Sequence, residues 1–174
     1  MHQKTDTCII VGAGSGLSAS LAKLFRTNGM DVVLAARNVE KLRGFAREIG
    51  CDLVQCDSSD ADQVKKLFNQ TDKIFGAPSL VIYNPSARIR GDITSLDPQQ
   101  TKLALETTCF GAFLVAQQAA MRMITNGSGS IFFTGASAGV KGFANSSVFA
   151  MGKFGLRGLA QSLARELQPK NIHV

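Results

Sequence analysis

"TCIIVGAGSGLSASLAKLFRTNG", residues 7–29, is the stretch on which the fold turns. "TCIIVGAG" reads as a short buried strand ending in glycines, and "SGLSASLAKLFRTNG" as a helix stopped by Gly29. Gly12, Gly14 and Gly16 occupy the junction between them. Gly12 permits a tight turn, and the later glycines let a pyrophosphate approach the backbone where the helix begins. A glycine triplet alone says little; its weight comes from the strand and helix that open a βαβ unit around it.

The rest of the chain repeats that alternation. "DVVLAAR", "CDLVQCD", "SLVIYN" and "GSIFFTG" read as the second to fifth strands, and "NIHV" as a sixth just starting. "EKLRGFAREIG", stopped by Gly50, and "DADQVKKLFNQTDKIFG" read as helices among them. Residues 85–96 form a loop with Pro85 and Gly91, after which Asp97 and Pro98 open a long helix as N-cap and first residue. A last helix covers "SSVFAMGKFGLRGLAQSLARELQ", residues 146–168. This alternation predicts an α/β fold, a Rossmann-type doubly wound parallel sheet with helices on both faces. No linker interrupts it, and residues 1–174 are expected to form a single NAD(P)-binding domain.

Composition narrows the function classes. Hydrophobic residues make up 45% and charged residues 18%, which argues against disorder. No apolar run approaches the length of a membrane span, and the one near the N-terminus is far shorter than a secretory signal. Cys8, Cys51, Cys56 and Cys109 form no CxxC pair and no zinc spacing, so no metal site is expected, and the protein is read as reduced and cytoplasmic. The net charge of +6 raises nucleic acid as a partner, but Lys and Arg are spread along the chain rather than clustered with aromatics. One basic group stands out around the second strand: Lys23, Arg26, Arg37, Lys41, Arg43 and Arg47. An anionic small molecule accounts for it as well as a polymer does. Neither nucleic acid nor a membrane is expected to bind.

At the end of the second strand, about 20 residues past the glycines, an NAD site places an acid on the ribose 2′-hydroxyl. The residues there are Ala35, Ala36 and Arg37. An arginine in place of an acid favours a 2′-phosphate, hence NADP(H) over NAD(H). The alternative is an exposed arginine that starts the next helix. In the last helix Val148, Met151, Leu156, Leu159, Ala160, Leu163 and Leu167 recur three or four apart, the stripe of a helix laid on a core. Phe149 and Lys153 lie near that stripe, one turn apart on one face. Taken alone, Lys153 reads as a surface lysine whose stem covers apolar surface.

In order and spacing these pieces resemble the short-chain dehydrogenase/reductase family across the whole chain. The motif T-G-x-x-x-G-x-G is met by Val11, Gly12, Gly16 and Ser18, so that its first and last letters differ. Asp57 in "CDSSD" matches the family's aspartate after the third strand, which holds the adenine amino group. The N-N-A-G motif keeps only its first letter, as Asn84-Pro85-Ser86-Ala87. "FAMGK" stands where the family has Y-x-x-x-K, and "LAQSLARELQPKNIHV" fits the segment beyond it. The resemblance implies a cofactor site of Gly12, Gly14, Ser15, Gly16, Leu17, Arg37, Asp57, Asn84 and Lys153. It also implies that Lys153 points into the cofactor cleft and holds the nicotinamide ribose.

The catalytic positions depart from the family pattern. Phe149 stands at the tyrosine that protonates the alkoxide, and a phenyl ring has no proton to give. The serine that polarises the carbonyl falls on Ala136; Ser137 is next and Thr134 two before, neither in register. The asparagine of the long helix falls on Thr108, so of four catalytic residues only Lys153 remains. Tyr83, the one tyrosine, cannot take the missing place without a different geometry. The chain ends at Val174, before the family's proline–glycine motif and substrate-covering segment, and it is expected to be truncated just after the sixth strand begins.

Two functions follow as expectations. The first is an NADP(H)-dependent oxidoreductase acting on the carbonyl or alcohol of a small-molecule substrate, with protons from Lys153, Ser137 or water. The second is a dinucleotide-binding sensor or regulatory module without turnover. Self-association as a homodimer or homotetramer is expected through the helices spanning 101–124 and 148–167. Their apolar residues, among them Phe110, Phe113, Val115, Phe154 and Leu159, fall on more than one face.

Overall fold

The structure, a computed structural model, describes residues 6–174. Strand β1 (Thr7–Val11) is buried along its whole length and lies at the centre of the sheet. It pairs in parallel with β2 (Asp31–Ala36) on one side and β4 (Leu80–Tyr83) on the other. Outside these run β3 (Asp52–Gln55), β5 (Gly129–Phe133) and β6 (Ile172–His173), giving the order β3-β2-β1-β4-β5-β6, all parallel. The chain moves outward from β1 to β3 and then returns to β4. The order therefore reverses between the carboxyl ends of β1 and β4, where a crevice opens.

At the centre of the sheet, in β1, β2 and β4, both faces are covered, and for that reason these strands read as continuous apolar runs. Successive residues of β1 alternate between two cores. Ile9 and Val11 pack with α3 (Ala61–Phe75), α5 (Gly111–Asn126) and α6 (Ser147–Leu167) through Leu67, Phe68, Val115, Met123 and Leu156. Cys8 and Ile10 face α1 (Leu17–Thr27) and α2 (Arg43–Ile49) through Ala22, Phe45 and Ile49. The doubly wound α/β architecture read from the sequence is the one observed.

Several local expectations are corrected. The first helix starts at Leu17, because Ser15 and Gly16 remain in the turn. A 3₁₀ turn, Glu40–Leu42, precedes α2. The long helix after Asp97 is two helices, α4 (Pro98–Leu105) and α5, joined by a π-helical turn over Glu106–Phe110. In α6 the buried stripe runs through Val148, Phe149, Gly152, Lys153 and Leu156, one position round from Met151, which is exposed. Of the apolar residues expected to fall on more than one face of the helices over 101–124 and 148–167, Val115 is fully buried in the core, while Phe110, Phe113 and Phe154 are exposed.

Candidate functional site

The crevice between β1 and β4 is a cleft of about 410 Å³, and the ends of four strands wall it. Gly12 follows β1, Arg37 follows β2, Asp57 follows β3, and Asn84 with Pro85 follows β4; all of them line the cleft. Gly12 is obligatory there. Its φ is +77°, and a Cβ at that position would stand 2.6 Å from the Pro85 nitrogen. Around Gly14 and Gly16 the space is open, with nothing within 4 Å of where a Cβ would lie. Helix α1 begins beside them with no side-chain cap and no acidic residue in its first turn. Its free amides and positive dipole end suit an anion. The cradle fits the pyrophosphate of a dinucleotide.

Arg37 is exposed at the mouth of this cleft, and among the described residues it joins no salt bridge. Three other residues of the basic group are paired with carboxylates, whereas Lys41 and Arg47 line no part of the cleft. Arg26 pairs with Asp31 at 3.0 Å, Lys23 with Glu48 at 3.6 Å and Arg43 with Glu40 at 2.6 Å, so the group is not one anion site. Asp57 accepts from the Ser59 amide (3.0 Å) and hydroxyl (2.7 Å) through one oxygen, which orients the carboxylate. Sequence reasoning missed Asn38, Cys56, Ser58, Ser86 and Thr107 in the cleft wall. The first three adjoin strand ends already identified; Thr107 comes from the π turn, which no motif announced.

Asn84 is used internally. Its amide nitrogen donates to Ser18 Oγ at 2.9 Å, and its carbonyl oxygen accepts from Thr134 Oγ1 at 2.8 Å. The Lys153 ammonium donates to the Thr134 carbonyl at 2.6 Å. A continuous polar path thus joins the start of α1, the end of β4, the end of β5 and helix α6. Lys153 is only 3% exposed, which overturns the surface-lysine reading, and burial lowers its pKa. Its ammonium is held at Thr134 and does not line the dinucleotide cleft.

Phe149 is likewise buried, with its ring centre 6.0 Å from the Lys153 ammonium. The Arg88 guanidinium lies over the same ring at 4.5 Å. Thr108 is buried, and its hydroxyl accepts from the Ala87 amide at 3.0 Å, which pins the loop after β4. Ala136 has extended backbone, and Ser137 beside it is exposed. Tyr83 is fully buried with its hydroxyl tied to Ser58 and to the Thr107 carbonyl, and burial drives its pKa upward. It cannot serve as the missing acid.

A family model described as short chain dehydrogenase matches residues 6–174. The chain therefore belongs to the short-chain dehydrogenase/reductase family of NAD(P)-binding oxidoreductases. A short-chain dehydrogenase from Rhodopseudomonas palustris superposes with a TM-score of 0.92 at 36% identity, covering 97% of this chain and 82% of that one. A metagenomic short-chain oxidoreductase solved in complex with NADP gives a TM-score of 0.90 at 26% identity, over 96% of this chain and 78% of that one. A 3-oxoacyl-[acyl-carrier-protein] reductase of Bos taurus is 27% identical over 169 residues, which is 96% of this chain and 71% of that protein. Among the described residues, no helix is long and apolar enough to cross a membrane.

Proposed function

We propose that this chain is an NADP(H)-dependent reductase of a small carbonyl compound that works without a tyrosine acid. The observation that carries the reading is Arg37, which meets Gly12, Asp57 and Asn84 in one cleft and has no acidic partner among the described residues. The open backbone at Gly14, Ser15, Gly16 and Leu17 takes the pyrophosphate, Asp57 the adenine amino group, and Arg37 the 2′-phosphate. Asn84 keeps the glycine loop in register with β5, and Lys153 must turn from the Thr134 carbonyl to reach the nicotinamide ribose. The bound cofactor supplies the hydride. As hydride reaches the carbonyl carbon, the electron pair of the C=O bond moves to oxygen, and that oxygen takes a proton from solvent or from Ser137. The carbonyl reductase family member 4 of Danio rerio, 29% identical over 171 residues, supports a carbonyl substrate.

The missing hydroxyls at Phe149 and Ala136 set the expected pace. A positioned general acid contributes about 10²–10⁴ in rate, and its loss leaves a slow enzyme. The test is transfer of deuterium from NADPH labelled at C4 to a panel of ketones and aldehydes, read by mass spectrometry of the alcohol products. Slow enzyme-dependent labelling supports the reductase. NADPH binding without labelling of any product refutes it and leaves a dinucleotide sensor.

A further inference from the structure

Beside Phe149 lies a second cleft, of about 460 Å³, to which Arg88, Arg90, Ser137, Asn145, Ser146 and Phe149 contribute. No carboxylate lines it. Arg88 and Arg90 are both exposed within this concave wall, and among the described residues neither forms a salt bridge or a side-chain hydrogen bond. Two guanidinium groups on one cleft wall with no carboxylate beside them leave positive charge that an anion in the cleft would offset.

The cleft is also built in advance. The loop carrying the arginines is fixed at one end by the Ala87 amide on Thr108 and at the other by the Gly91 amide on the Asn145 carbonyl, at 3.3 Å. The Phe149 ring supports the Arg88 guanidinium at 4.5 Å, which holds a planar donor fork without consuming its N–H groups. That fork matches the paired oxygens of a carboxylate or phosphate. Phe149 places the cleft at the position of the family's tyrosine, with Ser137 one residue past that of its serine, so whatever fills it lies next to the reacting group.

We propose that this cleft holds an anionic oxyacid group of the substrate, clamped by Arg88 and Arg90 beside the carbonyl to be reduced. The assignment rests on the reductase reading for the word substrate, but the binding itself does not. The site takes a carbonyl compound bearing a carboxylate or a phosphate, and a neutral ketone lacks the group that anchors it.

The test is calorimetric binding to the purified protein, with and without NADP⁺, of matched probes. Levulinate is compared with its methyl ester, and dihydroxyacetone phosphate with dihydroxyacetone. The anionic member of at least one pair binds tenfold tighter or better, and the pair that does so tells carboxylate from phosphate. Arg88→Gln and Arg90→Gln each reduce that preference roughly ten- to a hundredfold, the range for losing a hydrogen bond to a charged group. Arg88→Lys keeps the charge but not the fork and restores it only in part. Equal binding of both members in both pairs overturns the proposal, as does a preference that survives in the Arg88→Gln/Arg90→Gln double variant. Unchanged NADP⁺ affinity in each variant shows that the fold is intact. An anion preference without turnover sinks the reductase reading alone; turnover of neutral ketones without an anion preference sinks the clamp alone.

Discussion

Phe149 sits between two cations, with the Lys153 ammonium 6.0 Å and the Arg88 guanidinium 4.5 Å from its ring centre. A phenyl face attracts both, so the ring stabilises charge where the family's tyrosine would donate a proton. Restoring the hydroxyl with Phe149→Tyr places a phenol beside two positive charges, which favour its ionised form and lower its pKa. Alone the change does little, because Ala136 has no hydroxyl to polarise a carbonyl. With Ala136→Ser, turnover of an activated ketone rises by more than the product of the two single effects, toward the roughly 10²–10⁴ that a positioned acid supplies. Steady-state kinetics on the four proteins of the cycle measure the coupling. Strict additivity contradicts the placement of these two side chains at one reacting centre.

Among the elements, the π turn at Glu106–Phe110 is the feature that the sequence concealed most completely. Its helical neighbours share ordinary apolar spacing, and close packing at Gly111 and Gly152 adjoins it. A Cβ on Gly111 would lie 2.5 Å from the Tyr83 hydroxyl oxygen and 2.7 Å from the Ser58 carbonyl oxygen. One on Gly152 would meet Thr108 Cγ2 at 2.9 Å. Gly111→Ala should therefore cost about 1–3 kcal/mol through overpacking. Gly44→Ala, in an open stretch of α2, should gain roughly 0.4–1 kcal/mol. Urea titration of both variants decides, and a neutral Gly111→Ala contradicts the close approach of α5 to β4. The central strands were legible because fully buried parallel strands read as unbroken apolar runs. Arg37 and Asp57 were legible because they fall at strand ends. Arg88 and Arg90 were not, since a loop has no periodicity to say which way its side chains face. The internal use of the Asn84 amide was hidden for a similar reason: its partners Ser18 and Thr134 lie far away in the chain.

For the whole molecule, the outer face of α5 and α6 and the turn between α4 and α5 is apolar. Phe110, Phe113 and Phe154 are 48%, 42% and 47% exposed, and the first two rings stack at 6.2 Å. We propose that a second copy of the chain covers them, since a symmetric contact buries the same patch on both partners. Sedimentation at micromolar concentration should show a dimer or tetramer that Phe110→Glu with Phe113→Glu converts to monomer; a monomeric parent protein refutes the contact. The central claim concerns the other end of the sheet, the crevice where the strand order reverses. Its most direct test is calorimetric titration of NADPH and NADH into the parent protein and into Arg37→Asp. The parent should bind NADPH more tightly, and the variant should lose roughly ten- to a hundredfold in NADPH affinity while keeping NADH, as expected for a lost charge-assisted contact to the 2′-phosphate. A parent protein that binds NADH more tightly than NADPH, or a variant that loses both alike, contradicts it.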